Sequence, residues 1–288
     1  MEIKQNVSLA LSGSGFKFPA HLGGLKAIED SGRSIVEIAG VSGGAIVAGL
    51  YSCGLQVDYL TKAMMGKNWV PYYQMNPFNL LTKGGLVSGE EIEEYLLEVS
   101  EGKTFRQTDI PLTIITTNLS NGEEFVFDTD NTPDVPIATA IRASISIPGV
   151  FCPVRLGDNV LVDGVVINSL PVHHLKRQDT THLGIKLLHT GSEHGPHVLN
   201  EMPDSVKLAW NVIKQSIFVM ADKHDEWVFT HGYVDNIIRV NTQYADPLNP
   251  RIPKEDRKRL FSDCYIETRR FLDAAEAFRN TETEHHPV

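Results

Sequence analysis

The sequence predicts a single α/β domain, and two observations carry that prediction. Apolar runs at residues 7–11 and 35–41 each lead through a glycine-rich turn into a helical pattern, which is the strand-turn-helix alternation of α/β folds. The 288 residues are also enough for a full core, and a composition of 42 % hydrophobic and 22 % charged residues is ordinary for a globular protein. We therefore expect one large domain rather than two small ones.

Charge and cysteine content disfavour several function classes. The 26 basic and 36 acidic residues leave a formal charge of −10, which argues against a general nucleic-acid binder because phosphate affinity comes from clustered lysine and arginine. The same balance gives no broad cationic surface for anionic membranes, although a local patch would suffice for transient contact. The three cysteines are widely spaced and odd in number, so we expect buried free thiols in a reducing compartment.

No targeting or membrane-spanning segment is visible in the sequence. The amino terminus lacks a basic start followed by a long apolar stretch, and no run approaches the roughly 18 apolar residues that span a bilayer. The sequence therefore predicts a cytoplasmic protein, with secretion without a cleaved signal as the alternative.

The first predicted strand, residues 7–11, ends in a Ser-Gly-Ser-Gly loop, and a helix is predicted from Pro19. A dinucleotide site is disfavoured because Phe18 stands where the third glycine of that fingerprint belongs. Exposed backbone amides in the loop favour an oxyanion hole that faces a shared cavity. The candidate donors are the amides of Gly13, Ser14 and Gly15.

Two side chains beside this loop have open roles. His21 is the histidine nearest to the glycine-rich turns and is a candidate general base, but its place one turn into an apolar helix favours a packed or capping side chain. Lys17 is either a solvated side chain or a cation that steadies the loop.

The second turn carries the candidate nucleophile, Ser42, within Gly40-Val41-Ser42-Gly43-Gly44. A serine at a strand-to-helix corner is held in a strained conformation, and glycines at 40 and 44 let the two elements approach closely. The amide of Gly43 and the positive end of the following helix would stabilise negative charge beside the serine. The pattern predicts a nucleophile elbow; the alternative is a turn whose serine only caps the helix.

The middle of the chain alternates helices and strands around an aromatic stretch, residues 69–85, which either packs on the core or covers an apolar site. The predicted strand at 160–162 ends at Asp163-Gly164. A carboxylate at the carboxyl end of a strand is where α/β folds collect their chemistry, whereas Asp-Gly is also a common turn. The other predicted elements are helices at 57–65, 88–99 and 136–144, a hairpin of 112–119 with 124–127, and extended segments at 145–151 and 160–162.

The C-terminal third predicts structure but no chemistry. Strands are expected at 183–188 and 236–240, a long helix at 203–229, and a charged helix at 254–279 that docks by its apolar side chains. The docking side chains are Leu260, Phe261, Ile266, Phe271 and Phe278. The pairs His173-His174 and His285-His286 lack a carboxylate at metal-ligand spacing, so we expect them to be solvated and predict no metal site and no cofactor.

Three segments together resemble the patatin-like phospholipase family. That family carries a glycine-rich oxyanion loop after its first strand, then a G-x-S-x-G elbow, then Asp-Gly-Gly or Asp-Gly-Ala. Here the three motifs are Ser12-Gly13-Ser14-Gly15-Phe16-Lys17-Phe18, Gly40-Val41-Ser42-Gly43-Gly44 and Asp163-Gly164-Val165. The resemblance covers about residues 7–172, and Asn168-Ser169-Leu170-Pro171-Val172 follows the aspartate much as the family's Asn-Asn-Leu-Pro-Val does.

The resemblance implies a three-layer α/β/α fold with a mostly parallel central sheet. The single domain over residues 1–288 would then have its motif-bearing core at 7–172, helices and strands at 173–279 and a frayed tail at 280–288. It also implies that Ser42 attacks an acyl ester with Asp163 as its base, and that an acyl-enzyme forms. The implied oxyanion donors are Gly13, Ser14, Gly15 and Gly43, with Lys17, Gly40, Gly44 and Gly164 in supporting positions.

Three departures from the family pattern bear on the site. Ser14 replaces a glycine and would be strained if its φ were positive. Lys17 and Phe18 replace an arginine and a glycine, and lysine lacks the forked donors of arginine. Val165 replaces a small residue and adds a β-branched side chain beside the carboxylate.

The predicted function is a serine lipid acyl hydrolase of phospholipase A or lysophospholipase type, which releases fatty acid from a phospholipid or another acyl lipid. The alternatives are a soluble esterase, thioesterase or acyltransferase, and a non-catalytic lipid- or partner-binding module on the same fold. No nucleic-acid partner is expected, and no feature of the sequence indicates an oligomeric state.

Overall fold

An eight-stranded sheet forms the centre of the computed structural model, which describes residues 5–188, 212, 216 and 236–284. Two shorter strands, β3 and β6, pair with each other in a separate sheet. In chain order the strands are β1 (Asn6–Leu11), β2 (Ser34–Val41), β3 (Gly85–Val87), β4 (Leu112–Asn118), β5 (Glu123–Phe127), β6 (Gly149–Phe151), β7 (Val154–Leu156), β8 (Asn159–Asp163), β9 (Thr181–Leu188) and β10 (Ile237–Asn241).

Helices flank the central sheet. They are α1 (Pro19–Asp30), α2 (Gly43–Ser52), α3 (Val57–Gly66), α4 (Pro77–Lys83), α5 (Glu90–Val99), α6 (Ile137–Ser144) and α7 (Lys254–Glu284). Helix α1 packs extensively against α7, and α2 packs against both β2 and α6. The predicted fold class, α/β with a mostly parallel central sheet, is confirmed.

The strand order, β10-β9-β1-β2-β4-β8-β7 with β5 also beside β4, brings both glycine-rich turns to one edge of the sheet. Strands β1, β2, β4, β9 and β10 are parallel, and β5, β7 and β8 run antiparallel to their neighbours. Val41 lies opposite Ile115 on β4, and the next residue of β4, Thr116, lies opposite Asp163. This register places the end of β8 beside the end of β2.

The central strands are apolar on both sides because both faces of the sheet are covered. Leu9 and Leu11 belong to the main core with the helices, whereas Ala10 and its neighbour on β2, Ala39, contact the segment that follows β8. That segment contributes the buried side chains of Leu170, Val172 and Leu175. The small alanines let this segment lie close to the sheet.

Most predicted elements correspond to elements of the structure, with shifts of a few residues at their ends. The expected helix at 203–229 and the pair His285-His286 lie outside the described residues, apart from positions 212 and 216. Helix α7 continues to Glu284, beyond the predicted end at Arg279. Leu260 docks on the core as predicted, but the prediction for Ile266 is wrong, because that side chain is 43 % exposed. None of the helices in the described part of the chain combines the length and apolarity that crossing a membrane requires.

Candidate active site

Ser42 occupies the corner between β2 and α2 with φ 53° and ψ −126°, a conformation that side chains other than glycine rarely adopt. The glycines on either side permit the tight corner. A Cβ at Gly40 would lie 2.8 Å from the Cβ of Ala48 on α2, and one at Gly44 would lie 2.5 Å from the carbonyl of Ser12. The serine hydroxyl is therefore fixed by packing that only small neighbours allow.

Ser42 and Asp163, which are 121 residues apart in sequence, meet directly. The Ser42 hydroxyl donates to Asp163 Oδ2 at 2.7 Å, and the second carboxylate oxygen accepts from the amide of Val165 at 2.9 Å. The backbone of Asp163 is held on both sides, by its amide donating to Ser146 O and its carbonyl accepting from Thr117 Oγ1. Both side chains are almost fully buried. Such a pair can pass a proton from the hydroxyl to the carboxylate.

Burial raises the pKa of Asp163 to about 7, because the charged carboxylate loses its hydration. The hydrogen bonds from Ser42 and Val165 act in the opposite direction but are weaker. A carboxylate with a pKa near neutrality is a far better proton acceptor than an ordinary aspartate, whose pKa is about 4.

Three backbone amides in the segments next to Ser42 have no hydrogen-bond acceptor among the described residues: those of Ser14, Gly15 and Gly43. The loop of residues 12–15 lies against the start of α2, since a Cβ at Gly43 would lie 2.2 Å from Ser14 Oγ and 2.8 Å from the amide nitrogen of Gly15. The positive end of α2 points to the same place. This arrangement can bind an oxyanion.

The structure differs from the prediction at Gly13. Its amide donates to the carbonyl of Ser169 at 3.1 Å, so this donor is engaged within the protein. Gly13 still lies close to the site, because a Cβ there would be 3.6 Å from the Cβ of Ser42. Its part is to bring the loop near Ser42 rather than to supply a free donor. Gly164 allows another close approach, with Ile115 O only 2.4 Å from the position of a Cβ.

The sequence profile described as Patatin-like phospholipase matches residues 9–176, which include all three motifs of the site. The chain belongs to the patatin-like phospholipase family. Among curated relatives, the uncharacterized NTE family protein Rv1063c of Mycobacterium tuberculosis is 30 % identical over 190 residues, which are 66 % of this chain and 51 % of that protein. The chain therefore spans about half the length of that relative.

Two further patatin-like comparisons agree with this assignment. A protein of Invertebrate iridescent virus 6 named "Probable lipid hydrolase 463L" is 28 % identical over 185 residues, covering 57 % of this chain and 61 % of the viral protein. The crystal structure of VipD from Legionella pneumophila matches with a TM-score of 0.61 and 17 % identity, covering 94 % of this chain and 67 % of VipD. The second likeness concerns the fold alone.

The departures from the patatin-like pattern are accommodated without strain. Ser14 has φ −147°, so it avoids the left-handed region, and Gly15 is the loop residue with positive φ, +52°. Gly15 is also required for space, because a Cβ there would lie 2.1 Å from Pro247 O. Phe18 has φ −52° and needs no glycine. Val165 fills the space beside Gly13, where its Cγ2 would be 2.3 Å from an added Cβ.

Neither Lys17 nor His21 reaches Ser42. Lys17 is buried, not solvated, and its ammonium donates to Thr242 Oγ1 at 2.9 Å, which ties the loop to the end of β10. Burial and the nearby charge of Lys186 lower the pKa of Lys17 to about 7. His21 is buried with its Nε2 2.8 Å from Ser12 O, and burial lowers its pKa to about 3. The packed alternative for His21 is therefore the right one, and the general-base alternative is wrong.

Sequence reasoning missed the residues that support the corner. Ser144, at the end of α6, accepts from the amide of Ser42 at 2.8 Å and donates to Ile115 O at 2.7 Å. Arg142 is buried and donates to Ser146 Oγ at 2.6 Å and to Cys152 O at 2.8 Å, and it also bonds the carbonyl of Ser88. A buried arginine on a short apolar helix is a signal in the sequence that could have indicated such a network.

An apolar cavity opens beside Ser42, and its wall includes Trp69 and Tyr73 from the first part of the aromatic stretch. The space that water could occupy in it is only about 30 Å³, enough for a water molecule or two. Trp69 and Tyr73 are buried and pack on Phe18 and Phe151 respectively, whereas Phe78 is exposed on α4. Trp69 and Tyr73 therefore combine the two predicted roles, because they pack on the core and also line the cavity, whereas Phe78 does neither. The apolar side chains of the wall include Phe16, Phe18, Ile46, Ile92, Ile147 and Leu248.

The prediction that no carboxylate accompanies His173-His174 is wrong in three dimensions. The β4–β5 hairpin brings Glu124 to this pair from some 50 residues earlier in the chain, with its Oε2 2.7 Å from His174 Nε2. Spacing along the sequence could not indicate this, because the contact depends on how β5 lies beside the segment after β8.

Proposed function

We propose that the protein is a serine acyl hydrolase for lipids, with Ser42 as the nucleophile and Asp163 as its base. The observation that carries the proposal is the 2.7 Å hydrogen bond between these two buried groups at the edge of an apolar cavity. Membership of the patatin-like phospholipase family supports a lipid substrate.

In the first half-reaction, the Asp163 carboxylate takes the hydroxyl proton as Ser42 Oγ attacks the acyl carbonyl carbon. The carbonyl oxygen becomes an oxyanion, for which the amides of Ser14, Gly15 and Gly43 are the available donors. Collapse of this intermediate breaks the bond to the alcohol, and the proton on Asp163 passes to the departing oxygen. An acyl-enzyme on Ser42 remains.

In the second half-reaction, water attacks the acyl-enzyme while Asp163 again accepts a proton. The Ser42 oxygen then leaves and recovers that proton, so a free fatty acid is released and both groups return to their starting states. An alcohol in place of water would give transacylation by the same steps.

The cavity favours a long acyl chain because its wall is almost entirely apolar. Its present volume holds no more than a water molecule or two, so side chains must move before a lipid chain enters. Each methylene of the lipid chain that is buried in the cavity contributes about 0.8 kcal/mol of binding free energy, which offsets the cost of moving these side chains.

Product analysis on lipid vesicles tests the proposed function. We expect the wild-type protein to release fatty acid from phospholipid or lysophospholipid vesicles, and Ser42→Ala to release none above background while keeping the wild-type circular dichroism. Labelling by a fluorophosphonate, which reacts with activated serines, should occur in the wild type and be absent in the variant. Folded wild-type protein that neither labels nor releases fatty acid would favour the non-catalytic alternative.

Comparison of ester chain lengths separates a lipid hydrolase from a soluble esterase. We expect kcat/KM to rise with each added methylene until the apolar cavity is filled, because each buried methylene adds about 0.8 kcal/mol of binding. A preference for acetyl over long-chain esters would contradict the lipid substrate and leave the serine chemistry intact.

We also propose that α4 contacts the lipid surface. Phe78 and Leu81 on this helix are 68 % and 86 % exposed, and α4 packs beside β3, which pairs with the cavity-lining β6. Large apolar side chains concentrated on a short exposed helix are typical of an interaction site. The helix is therefore linked to the wall of the cavity through β3 and β6.

Leu81→Glu should lower activity on vesicles about tenfold, because burial of this side chain in the lipid surface would be lost and such burial is worth about 1.5 kcal/mol or more. Leu119→Glu is the matched control, since Leu119 is 55 % exposed in the β4–β5 hairpin. Sedimentation with vesicles measures binding directly. Equal binding by both variants would contradict the proposed contact.

A further inference from the structure

A second cluster of reactive side chains lies where the segment after Asp163 approaches the β4–β5 hairpin. The ligand atoms of Glu124, His173 and His174 all lie within 4.8 Å of one another. Glu124 Oε2 is 2.7 Å from His174 Nε2, and Glu124 Oε1 is 3.9 Å from His173 Nε2. The proposed acyl transfer uses none of these groups.

The neighbouring amide of Asn168 indicates which form of His173 is present. Asn168 Oδ1 accepts from the amide of Leu170 at 3.2 Å, so Nδ2 is the end of this side chain that faces His173. Because an amide NH₂ only donates, His173 Nε2 at 3.4 Å is the acceptor in this arrangement, and a bound ion would take the place of this hydrogen bond. An imidazole nitrogen that is free of a proton is the form that binds a metal.

The separations suit a tetrahedral ion. Bonds of about 2.0–2.1 Å from zinc to nitrogen and oxygen place the ligand atoms of a tetrahedron roughly 3.3 Å apart. The two measured separations from Glu124, 2.7 and 3.9 Å, lie on either side of this value. Small side-chain rotations would equalise them. The three side chains are partly exposed, which leaves a path for an ion and for a water molecule as fourth ligand.

We propose that Glu124, His173 and His174 form a binding site for Zn²⁺ or a similar divalent transition-metal ion. Two imidazoles and one carboxylate are a ligand set that zinc accepts, and Ca²⁺ and Mg²⁺, which prefer all-oxygen sites, do not fit it.

A bound ion would join two parts of the fold that are distant in sequence. Glu124 lies on β5, opposite Thr117 of β4. The two histidines lie at the end of the segment that follows Asp163, in which the backbone amide of Asn168 donates to Gly164 O at 2.8 Å. The ion would therefore fasten the segment after Asp163 to the β4–β5 hairpin. Its expected effect is on stability, since an ion that binds only the folded state raises the unfolding temperature.

Metal titration of the full chain tests the site. We expect one Zn²⁺ per chain by calorimetry, and Co²⁺ in its place should give the visible absorption of a tetrahedral complex. Glu124→Gln and His173→Ala should each weaken binding about a hundredfold or more and remove the Co²⁺ bands. His182→Ala is the control and should bind as the wild type does, because His182 Nε2 contacts Arg177 O outside the cluster.

Because other histidines of the chain could also bind Zn²⁺, the variants are needed to show where the ion lies. If Glu124→Gln and His173→Ala bind Zn²⁺ as tightly as the wild type, the ion lies at other residues and the proposal is overturned. No binding to the wild type would overturn it equally. His174→Ala is the variant with the greatest risk of misfolding, because His174 is the more buried histidine of the pair. The test therefore relies on Glu124→Gln and His173→Ala. Neither outcome depends on the proposed hydrolase activity.

Discussion

Replacing Asp163 with asparagine is expected to lower kcat/KM for fatty-acid release about 10²- to 10⁴-fold, the contribution of a well-placed general base. Asparagine has the same shape, and its carbonyl oxygen can still accept from the amide of Val165. Its amide NH₂, however, donates to Ser42 Oγ instead of accepting the serine proton. The wild-type rate should rise with pH around a midpoint near 7, because only the ionised carboxylate is a base.

The same exchange should make the protein more stable at alkaline pH. The pKa of Asp163 is raised in the folded state to about 7, whereas an unfolded aspartate has a pKa of about 3.9. The unfolded chain therefore ionises first, and the stability present below pH 4 is lost as pH rises toward 7. The loss reaches about 4 kcal/mol, at 1.36 kcal/mol for each unit of pKa. Asparagine carries no charge, so the Asp163→Asn variant does not lose this stability as pH rises.

Urea unfolding at pH 5 and pH 8 measures this effect. The free energy of unfolding of Asp163→Asn relative to wild type should increase by about 2 to 3 kcal/mol between these values. Asp134→Asn is the control, since this carboxylate is exposed and pairs with Arg106 on the surface; it should change stability by less than about 1 kcal/mol at both pH values. A stability difference that does not change with pH would show that Asp163 is not held in a destabilising site.

Replacing Arg142 with methionine is expected to destabilise the fold by about 3 to 5 kcal/mol, because three buried or partly buried acceptors lose their donor and each unsatisfied group costs about 1 to 3 kcal/mol. Methionine retains much of the length but donates no hydrogen bond. The carbonyls of Ser88 and Cys152 and the hydroxyl of Ser146 would be left without this donor in a buried setting. Since Ser146 O accepts from the Asp163 amide, activity should fall as well.

Urea unfolding of Arg142→Met, with Arg106→Met as the control, gives the measurement. Arg106 is exposed and pairs only with Asp134 among the described residues, so its loss should cost less than about 1 kcal/mol. Similar values for the two variants would mean that the buried carbonyls find other donors, for example water that enters the site.

The sequence was sufficient for the sheet and the corner at Ser42, because both depend on local chemistry. The choice of Asp163 came from the resemblance to the patatin-like family, since local rules left an ordinary Asp-Gly turn open. Alternating apolar runs and glycines specify where a strand ends and a helix begins. Since the central strands are mostly parallel, such ends meet at one edge of the sheet. The fold class and the position of the corner follow from these local rules, whereas its supporting contacts, such as the one from the Ser42 amide to Ser144, do not.

Other features depend on contacts that local rules do not contain. Whether the amide of Gly13 is free depends on Ser169, which follows β8, and the partner of Glu124 depends on the path from β8 to His174. Whether Lys17 is solvated or steadies the loop depends on Thr242, which lies 225 residues later in the chain and accepts from its ammonium. The exposure of Leu81 likewise follows from α4 lying outside the sheet, which the aromatic composition of residues 69–85 did not indicate.

The position of β1 between β2 and β9 has a consequence for the order in which a nascent chain gains activity. The backbone of the oxyanion loop is shaped by acceptors that leave the ribosome much later: Gly13 bonds Ser169, Ser12 bonds Ile185 and Phe16 bonds Pro247. When Ser42 and Asp163 have both been synthesised, one side of β1 is still unpaired and the loop has none of these acceptors. Synthesis must therefore pass Pro247 before the proposed catalytic arrangement can exist, and until then β1 needs protection from pairing with other chains.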